Sequence, residues 1–295
     1  MAATGAKKSW TVLEILNTTV EYFQSKKLNS PRVDTEYLLA DVLGIKRIEL
    51  YVRYAQPLMD SEISRFREYV KRRGTGEPLQ YILGDQPFMG LPIKVDKRAL
   101  IPRPETESLV EKIFEKFAPQ GDESSFAICD VGTGTGAIAI ALADGYKEAR
   151  IYACDISVDA LTLAKENVEA NGFLERIKLL KSDVLSRFDG KGISFDVVVS
   201  NPPYVTEDEM KEVSAELEWE PQNALVAGKD GLDVIRPLID QAPSYLKSGG
   251  MLFIEIGEGQ GESLLQLLNA SNAYKDCAIF KDLNERDRIA FAVRK

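Results

Sequence analysis

Phe126-Ala127-Ile128-Cys129-Asp130-Val131-Gly132-Thr133-Gly134-Thr135-Gly136-Ala137 reads as a buried strand, a glycine-rich turn and the first residue of a helix. The apolar run suits a strand covered on both faces in a parallel sheet. Glycines let the backbone approach a ligand closely, and the N-terminus of the following helix supplies unpaired N–H groups. The arrangement recurs downstream. Ile151 to Cys154 runs into Asp155, Ile177 to Leu180 precedes Ser182-Asp183-Val184, and Phe195 to Val199 runs into Ser200-Asn201-Pro202-Pro203-Tyr204. Successive strand ends lining one crevice are expected where an open parallel sheet binds a ligand at its carboxyl edge.

Each strand end suggests a chemistry. Gly132, Gly134 and Ala137 fit the dinucleotide fingerprint, and Asp155 stands where an acid receives the ribose hydroxyls of either NAD or S-adenosylmethionine. Asp183 and Val184 supply a carboxylate and an apolar side chain, suited to the amine and the face of an adenine ring. At Pro202-Pro203 the chain must leave the sheet stiff and extended, because proline fixes φ and cannot donate to a ladder. If the Asn201 side-chain oxygen and the Pro202 backbone oxygen aim into one cleft, they offer two acceptors to a planar NH2 group, and Tyr204 offers a ring to lie against it. The same tetrapeptide also serves as a plain strand-ending turn.

The rest of this region completes an α/β pattern. Met251 to Ile256 is a further strand, and helical segments follow Gly136, follow Ser157 and span Leu232 to Leu246. Cys277 to Phe280 and Ile289 to Val293 are joined by Lys281 to Arg288, too short for a crossover helix, so these last strands are expected to be antiparallel neighbours.

Upstream the texture is different. Met1 to Ser9 reads as a frayed terminus. Thr11 with Glu14 forms a capping-box pattern before Leu13, Leu16, Val20 and Phe23 at helical spacing. Ser30-Pro31 opens a second helix that Gly44 stops, a short one fits Ile45 to Val52, and Asp60 caps a third that ends on Lys71-Arg72-Arg73. From Gly74 to Pro104, Tyr81-Ile82-Leu83-Gly84, Phe88 and Ile93-Lys94-Val95 read as a hairpin between domains. Pro102 and Pro104 then make a rigid lead-in to a helix carrying Leu109, Val110, Ile113 and Phe117. The expected domains are a helical bundle over 1–76, a hairpin linker over 77–98 and the sheet domain over 99–295.

The 295-residue chain contains 37 Lys and Arg against 46 Asp and Glu, a net charge of −9. That balance opposes broad electrostatic capture of nucleic acid. Residues 1–76 hold 13 basic and 9 acidic residues, a local excess of positive charge. No apolar run approaches the roughly 20 residues of a membrane span, and a cytoplasmic protein is expected. Cys129, Cys154 and Cys277 have no metal-ligand spacing and read as reduced thiols. Histidine is absent, which removes Ser-His-Asp and Cys-His catalysis and most zinc chemistry, and no metal is expected.

With these motifs in order, residues 126–295 resemble a class I S-adenosylmethionine-dependent methyltransferase. More narrowly, the chain resembles the release-factor glutamine methyltransferase family (HemK type). The resemblance is carried by Gly76-Glu77-Pro78-Leu79-Gln80-Tyr81-Ile82-Leu83-Gly84, Leu100-Ile101-Pro102-Arg103-Pro104-Glu105-Thr106-Glu107, Asp130 to Gly136, Ser200 to Tyr204, Glu220-Pro221 through Ala224-Leu225, and Asp230-Gly231-Leu232. It implies a seven-stranded Rossmann-like sheet, mostly parallel with an antiparallel last pair, beside a helical N-terminal domain that recognises the substrate. It implies S-adenosylmethionine held by Gly132, Thr133, Gly134, Thr135, Gly136, Asp155, Asp183, Val184 and Asn201. The methyl acceptor would be the side-chain nitrogen of the glutamine in the Gly-Gly-Gln loop of class I peptide-chain release factors, bound by Asn201, Pro202, Pro203 and Tyr204, with Asn201, Pro202 and Tyr204 catalytic. Val184 stands where other members can carry a bulkier ring. Asn-Pro-Pro-Tyr is shared with amino-methyltransferases of DNA or RNA bases, so base methylation is the alternative, followed by a non-catalytic cofactor sensor and an NAD oxidoreductase.

Overall fold

The computed structural model describes residues 10–118, 126–211, 216–282 and 284–295. The chain splits into two compact units, Met1–Gly84 and Asp85–Lys295. The expected frayed segment Met1 to Ser9 lies outside the described residues.

In the first unit, α1 (Val12–Ser25) begins with the expected capping box: Glu14 N–H donates to Thr11 Oγ1 at 3.3 Å, and Thr11 N–H donates to Glu14 Oε2 at 3.0 Å. Pro31 opens α2 (Pro31–Leu43), and Gly44 closes it in the left-handed region at φ 64°. Arg47–Val52 is a 3₁₀ turn. The N-cap of α3 (Asp60–Arg73) is Met59 rather than Asp60, and the Met59 N–H donates to Glu62 at 2.7 Å. Leu79–Leu83 forms a one-turn helix, α4, where the sequence suggested a strand. Its Ile82 packs into the core of this unit with Leu16, Phe23, Leu38 and Phe66. A buried ion pair, Arg73 Nε to Asp34 Oδ2 at 2.8 Å, ties α3 to α2.

The second unit opens with a hairpin, β1 (Asp85–Phe88) and β2 (Leu91–Lys94). Met89 and Gly90 form its turn with φ of 50° and 77°, the left-handed pair that a two-residue hairpin turn requires. Then follow α5 (Pro104–Lys116), β3 (Ala127–Val131), α6 (Ala137–Gly145), β4 (Arg150–Asp155), α7 (Val158–Ala170), β5 (Ile177–Lys181) and β6 (Phe195–Ser200). After a long loop come α8 (Ile235–Tyr245), β7 (Leu246–Glu255), α9 (Gly261–Ala270), β8 (Tyr274–Lys281) and β9 (Asp287–Arg294).

Seven strands form one sheet in the order β5-β4-β3-β6-β7-β9-β8. Strands β3 to β7 pair in parallel, whereas β9 is antiparallel to both β7 and β8. The expected antiparallel last pair is present, with the later strand inserted between β7 and β8. The register places Val131 beside Cys154 and Ser200, and Cys154 beside Leu180. The residues that follow β3, β4, β5 and β6 therefore emerge along one edge. The core around Val198, Leu238, Leu252 and Ile254 fixes that edge from beneath. Among the described residues, no helix is long and apolar enough to cross a membrane.

Candidate functional site

A cavity of about 460 Å³ opens at the carboxyl edge of the sheet, within the second unit. It is lined by Gly132 to Thr135 after β3, Asp155 to Ser157 at the end of β4, Ser182 to Val184 after β5, and Ser200 to Pro203 at the end of β6. Its other wall comes from Ala99 to Pro102, Thr106, Phe88 and the loop residues Pro221, Asn223 and Ala224. The volume falls in the range of small-molecule and cofactor sites.

The glycine turn is tied from below and from the side. Gly132 N–H and Thr133 N–H both donate to the Cys154 carbonyl, at 2.8 and 3.0 Å. Thr133 Oγ1 donates to the fully buried Asp130 at 2.6 Å, and burial pushes that carboxyl up to about 7. Asp155 accepts from Gly134 N–H at 2.9 Å and from Ser157 N–H at 2.8 Å, so it pins the turn to the start of α7. Burial raises its pKa, and these N–H bonds oppose the rise. Gly132 and Gly134 face open space on the cavity side, with nothing closer than 3.9 Å to an added Cβ. Gly136 is different. It is not part of the lining; its φ is 83°, and an added Cβ would sit 3.4 Å from Ala164, so it permits close packing of α6 on α7.

Asp183 is exposed on the cavity wall, and Val184 lies beneath it, nearly buried. Val184 has φ 47°, a left-handed conformation unusual for a β-branched residue and costing about 1–3 kcal/mol. The following N–H, Leu185, donates to Gln241 Oε1 at 3.1 Å, which holds the turn.

Asn201 reaches the cavity at the end of β6, held there by Ser200 Oγ donating to the Val131 carbonyl at 2.6 Å. Its Nδ2 donates to Thr106 Oγ1 at 3.0 Å, so the oxygen half of the carboxamide remains available to a ligand. Pro202 and Pro203 line the cavity with it. Tyr204 does not: its ring packs on the sheet core, and its hydroxyl lies 3.5 Å from Glu255 Oε1. Burial pushes Tyr204 up to about 12, with Glu255 adding to the rise. The Tyr204 carbonyl accepts from Gln260 Nε2 at 3.2 Å and presses against Gly231, where an added Cβ would come within 2.2 Å of it.

Several contributors were not singled out by role in the sequence. Glu220, from the long loop, accepts from Ile101 N–H at 3.0 Å and from Arg103 at 2.6 Å, joining the lead-in of α5 to that loop. Glu107 accepts from Met89 N–H at 2.6 Å and fixes the hairpin turn to α5. Asn167 bridges the Thr135 carbonyl to both backbone groups of Lys94. Glu255, fully buried at the end of β7, is the one carboxylate in Leu252-Phe253-Ile254-Glu255-Ile256. A lone charge ending an apolar strand at the site edge is the signal that could have marked it.

The geometry fits an adenosine-bearing cofactor: a turn whose glycines leave room for close approach, an acid beyond the second strand, and a carboxylate with an apolar neighbour beyond the third. A family model described as the PrmC N-terminal domain matches residues 14–84, and one described as the methyltransferase small domain matches residues 106–228. The chain is 41% identical over 287 residues to the release factor glutamine methyltransferase of Chlorobaculum tepidum, covering 96% of this chain and 97% of that one. It is 38% identical over 293 residues to the protein of the same name from Rhodopirellula baltica, covering 98% of each. Among solved structures, the hMettl16 catalytic domain in complex with the MAT2A 3′UTR hairpin 6 superposes with a TM-score of 0.54 at 16% identity, covering 79% of this chain and 81% of that one. This last likeness concerns the fold.

Proposed function

The chain belongs to the release factor glutamine methyltransferase family, and from that premise we propose how its site methylates a release-factor glutamine. S-adenosylmethionine is the methyl donor in this reading, held along Gly132 to Thr135, Asp155, Asp183 and Val184. When bound, it supplies a sulfonium methyl open to in-line displacement. The acceptor is the side-chain nitrogen of the glutamine in a Gly-Gly-Gln loop, whose near-absence of side chains lets it enter a narrow cleft.

An amide nitrogen is a weak nucleophile because its lone pair is delocalised. Asn201 Oδ1 and the Pro202 carbonyl accept both N–H groups of the glutamine NH2, turn the nitrogen toward the methyl carbon and increase its electron density. The new bond is nitrogen to methyl carbon, the broken bond is sulfur to methyl carbon, and the displaced amide proton leaves to water. No imidazole is required, in keeping with a chain that has none. Tyr204 acts from behind, as a packed support for the strand end.

The observation that carries this reading is the placement of Asn201: its NH2 half is engaged by Thr106 at 3.0 Å, in the same cavity as the glycine turn and Asp155. Peptide mass spectrometry on a release factor incubated with enzyme and cofactor should place one methyl group on that glutamine side chain. An asparagine in its place moves the nitrogen by more than an ångström and should slow transfer by about 100-fold. A methyl group elsewhere, or equal rates for Gln and Asn, would refute the assignment of the acceptor.

A further inference from the structure

Pro202 and Pro203 carry no N–H, so two successive residues at the reacting edge have nothing to donate to a sheet or a loop. Their rings fix φ, and the direction of the Pro202 carbonyl then depends on how the segment is held at its two ends. The near end is tied by Ser200 Oγ to the Val131 carbonyl at 2.6 Å and by Asn201 Nδ2 to Thr106 at 3.0 Å. The far end is the Tyr204 carbonyl, which accepts from the side chain of Gln260 at 3.2 Å. Just beyond, Val205 exchanges backbone bonds with Leu225 and Ala227 of the long loop, at 2.9 Å each.

Gln260 does not line the cavity. It sits at the start of α9, whose Leu264 and Leu268 are buried in the sheet core, so its base is firm. Its Nε2 also donates to the Asp230 and Gly231 carbonyls, at 3.4 Å each, and its Oε1 accepts from Gly257 N–H at 2.8 Å. All four partners are backbone groups. Three can only accept and one can only donate, which fixes the half of the carboxamide that faces each loop. One side chain thus joins the segment after β6, the long loop before α8 and the turn after β7. Two glycines make room for it. At Gly231, with φ of 72°, an added Cβ would come within 2.2 Å of the Tyr204 carbonyl and 2.5 Å of Gln260 Nε2. At Gly257 it would lie 3.2 Å from both Gln260 Oε1 and Tyr204 Cδ2.

We infer that Gln260 is a positioning residue for methyl transfer: by holding the Tyr204 carbonyl, it sets the direction in which Pro202 presents its own carbonyl to the glutamine NH2. The inference rests on the acceptor role given to Pro202 above. Without the amide, three carbonyl oxygens converge with no donor between them, and the far end of the proline segment is released. A carboxylate in the same place adds a fourth acceptor to three. Once protonated, that carboxyl has an O–H to donate to Tyr204 while its other oxygen keeps the Gly257 N–H. The charged groups around the position are Asp230 with Arg236, Glu258 with Arg286, Asp282 with Arg288, Glu262 on α9, and Asp287 of β9 beside Gly261. The Tyr204 hydroxyl, pushed up to about 12, stays neutral beside them. This excess of acids, with the three carbonyls, favours the protonated form of a carboxyl introduced there.

The test compares the full-length wild type with Gln260→Met, which keeps the length without the polar atoms, and Gln260→Glu. Methylation of an intact release factor is followed from about pH 5.5 to about pH 8.5, with S-adenosylhomocysteine affinity measured by calorimetry on each protein. At the alkaline end both variants should lose roughly tenfold or more in kcat, while KM for the release factor and S-adenosylhomocysteine affinity stay within about threefold. As the pH falls, the rate of Gln260→Glu relative to wild type should recover by roughly fivefold or more, and that of Gln260→Met should stay flat. Wild-type kcat in Gln260→Met, or no acid recovery in Gln260→Glu, overturns the inference. A loss of cofactor-product affinity in step with kcat also overturns it, by making Gln260 a general support of the domain. If Gln260→Met fails to fold, the acid recovery of Gln260→Glu, read within one protein, decides. A wild-type enzyme that leaves the glutamine unmethylated would instead defeat the functional reading, independently of the variants.

Discussion

Asp155 holds the glycine turn as well as lining the cavity. Its two oxygens already receive the Gly134 and Ser157 N–H groups, and each carboxylate oxygen has a further lone pair to offer a ribose hydroxyl. Asp155→Ala should therefore weaken S-adenosylhomocysteine binding by roughly 1.5–3 kcal/mol, or one to two decades, in calorimetry. Unchanged affinity would mean that the second strand does not end at the ribose. The residue was legible because strand, acid and helix cap are adjacent in sequence. Thr106 stands in the same motif as Glu105 and Glu107, yet its contact with Asn201 was not readable, because the two residues lie 95 positions apart. Tyr204 shows the opposite error of scale. Its place next to Pro203 suggested a ring in the cleft, but only the packed core shows the ring turning inward.

Among the elements, the lead-in Leu100 to Pro104 and the loop around Glu220 depend on each other. Glu220 has a side chain only 2% exposed, and it answers both Arg103 and the Ile101 N–H. Glu220→Ala would strand a buried donor and remove the partner of a partly buried guanidinium, a loss of about 2–4 kcal/mol. The expected readouts are a lower melting temperature and faster proteolysis near Arg103. A melting temperature equal to wild type would show that the two segments are held by packing alone. Elements with local punctuation were readable: the capping box of α1, the Pro31 and Gly44 bounds of α2, and the short connection between β8 and β9. The turn of helix at α4 was missed because Tyr81-Ile82-Leu83 is too short for periodicity to separate strand from helix. The discriminating features are Pro78 before it and Gly84 after it, the latter at φ 90°. The pairing of Glu220 with Arg103 spans 117 positions, and no local pattern reports such a distance.

At the scale of the whole molecule, each unit has its own apolar core, and the cavity residues all belong to Asp85–Lys295. The helical unit contributes none of the groups assigned to chemistry, while its sequence carries a local excess of positive charge. We therefore assign it to recognition of the release factor. A chain beginning at Asp85 should bind S-adenosylhomocysteine with wild-type affinity. It should lose about tenfold or more in kcat/KM on an intact release factor, the scale of lost electrostatic and docking contacts. Equal kcat/KM for the two forms would remove this assignment.

The position of β9 bears on how the protein is made. It follows every other sheet strand in chain order, yet it lies between β7 and β8. During synthesis β7 therefore emerges with one flank unpaired, and β8 emerges before the strand that must separate them. Until Asp287–Arg294 leaves the ribosome, the apolar flank of Met251 to Glu255 stays open to any other extended segment. The sheet is thus completed in a different order from its synthesis, and the vulnerable interval for misassembly is the time needed to translate from β7 to the end of β9.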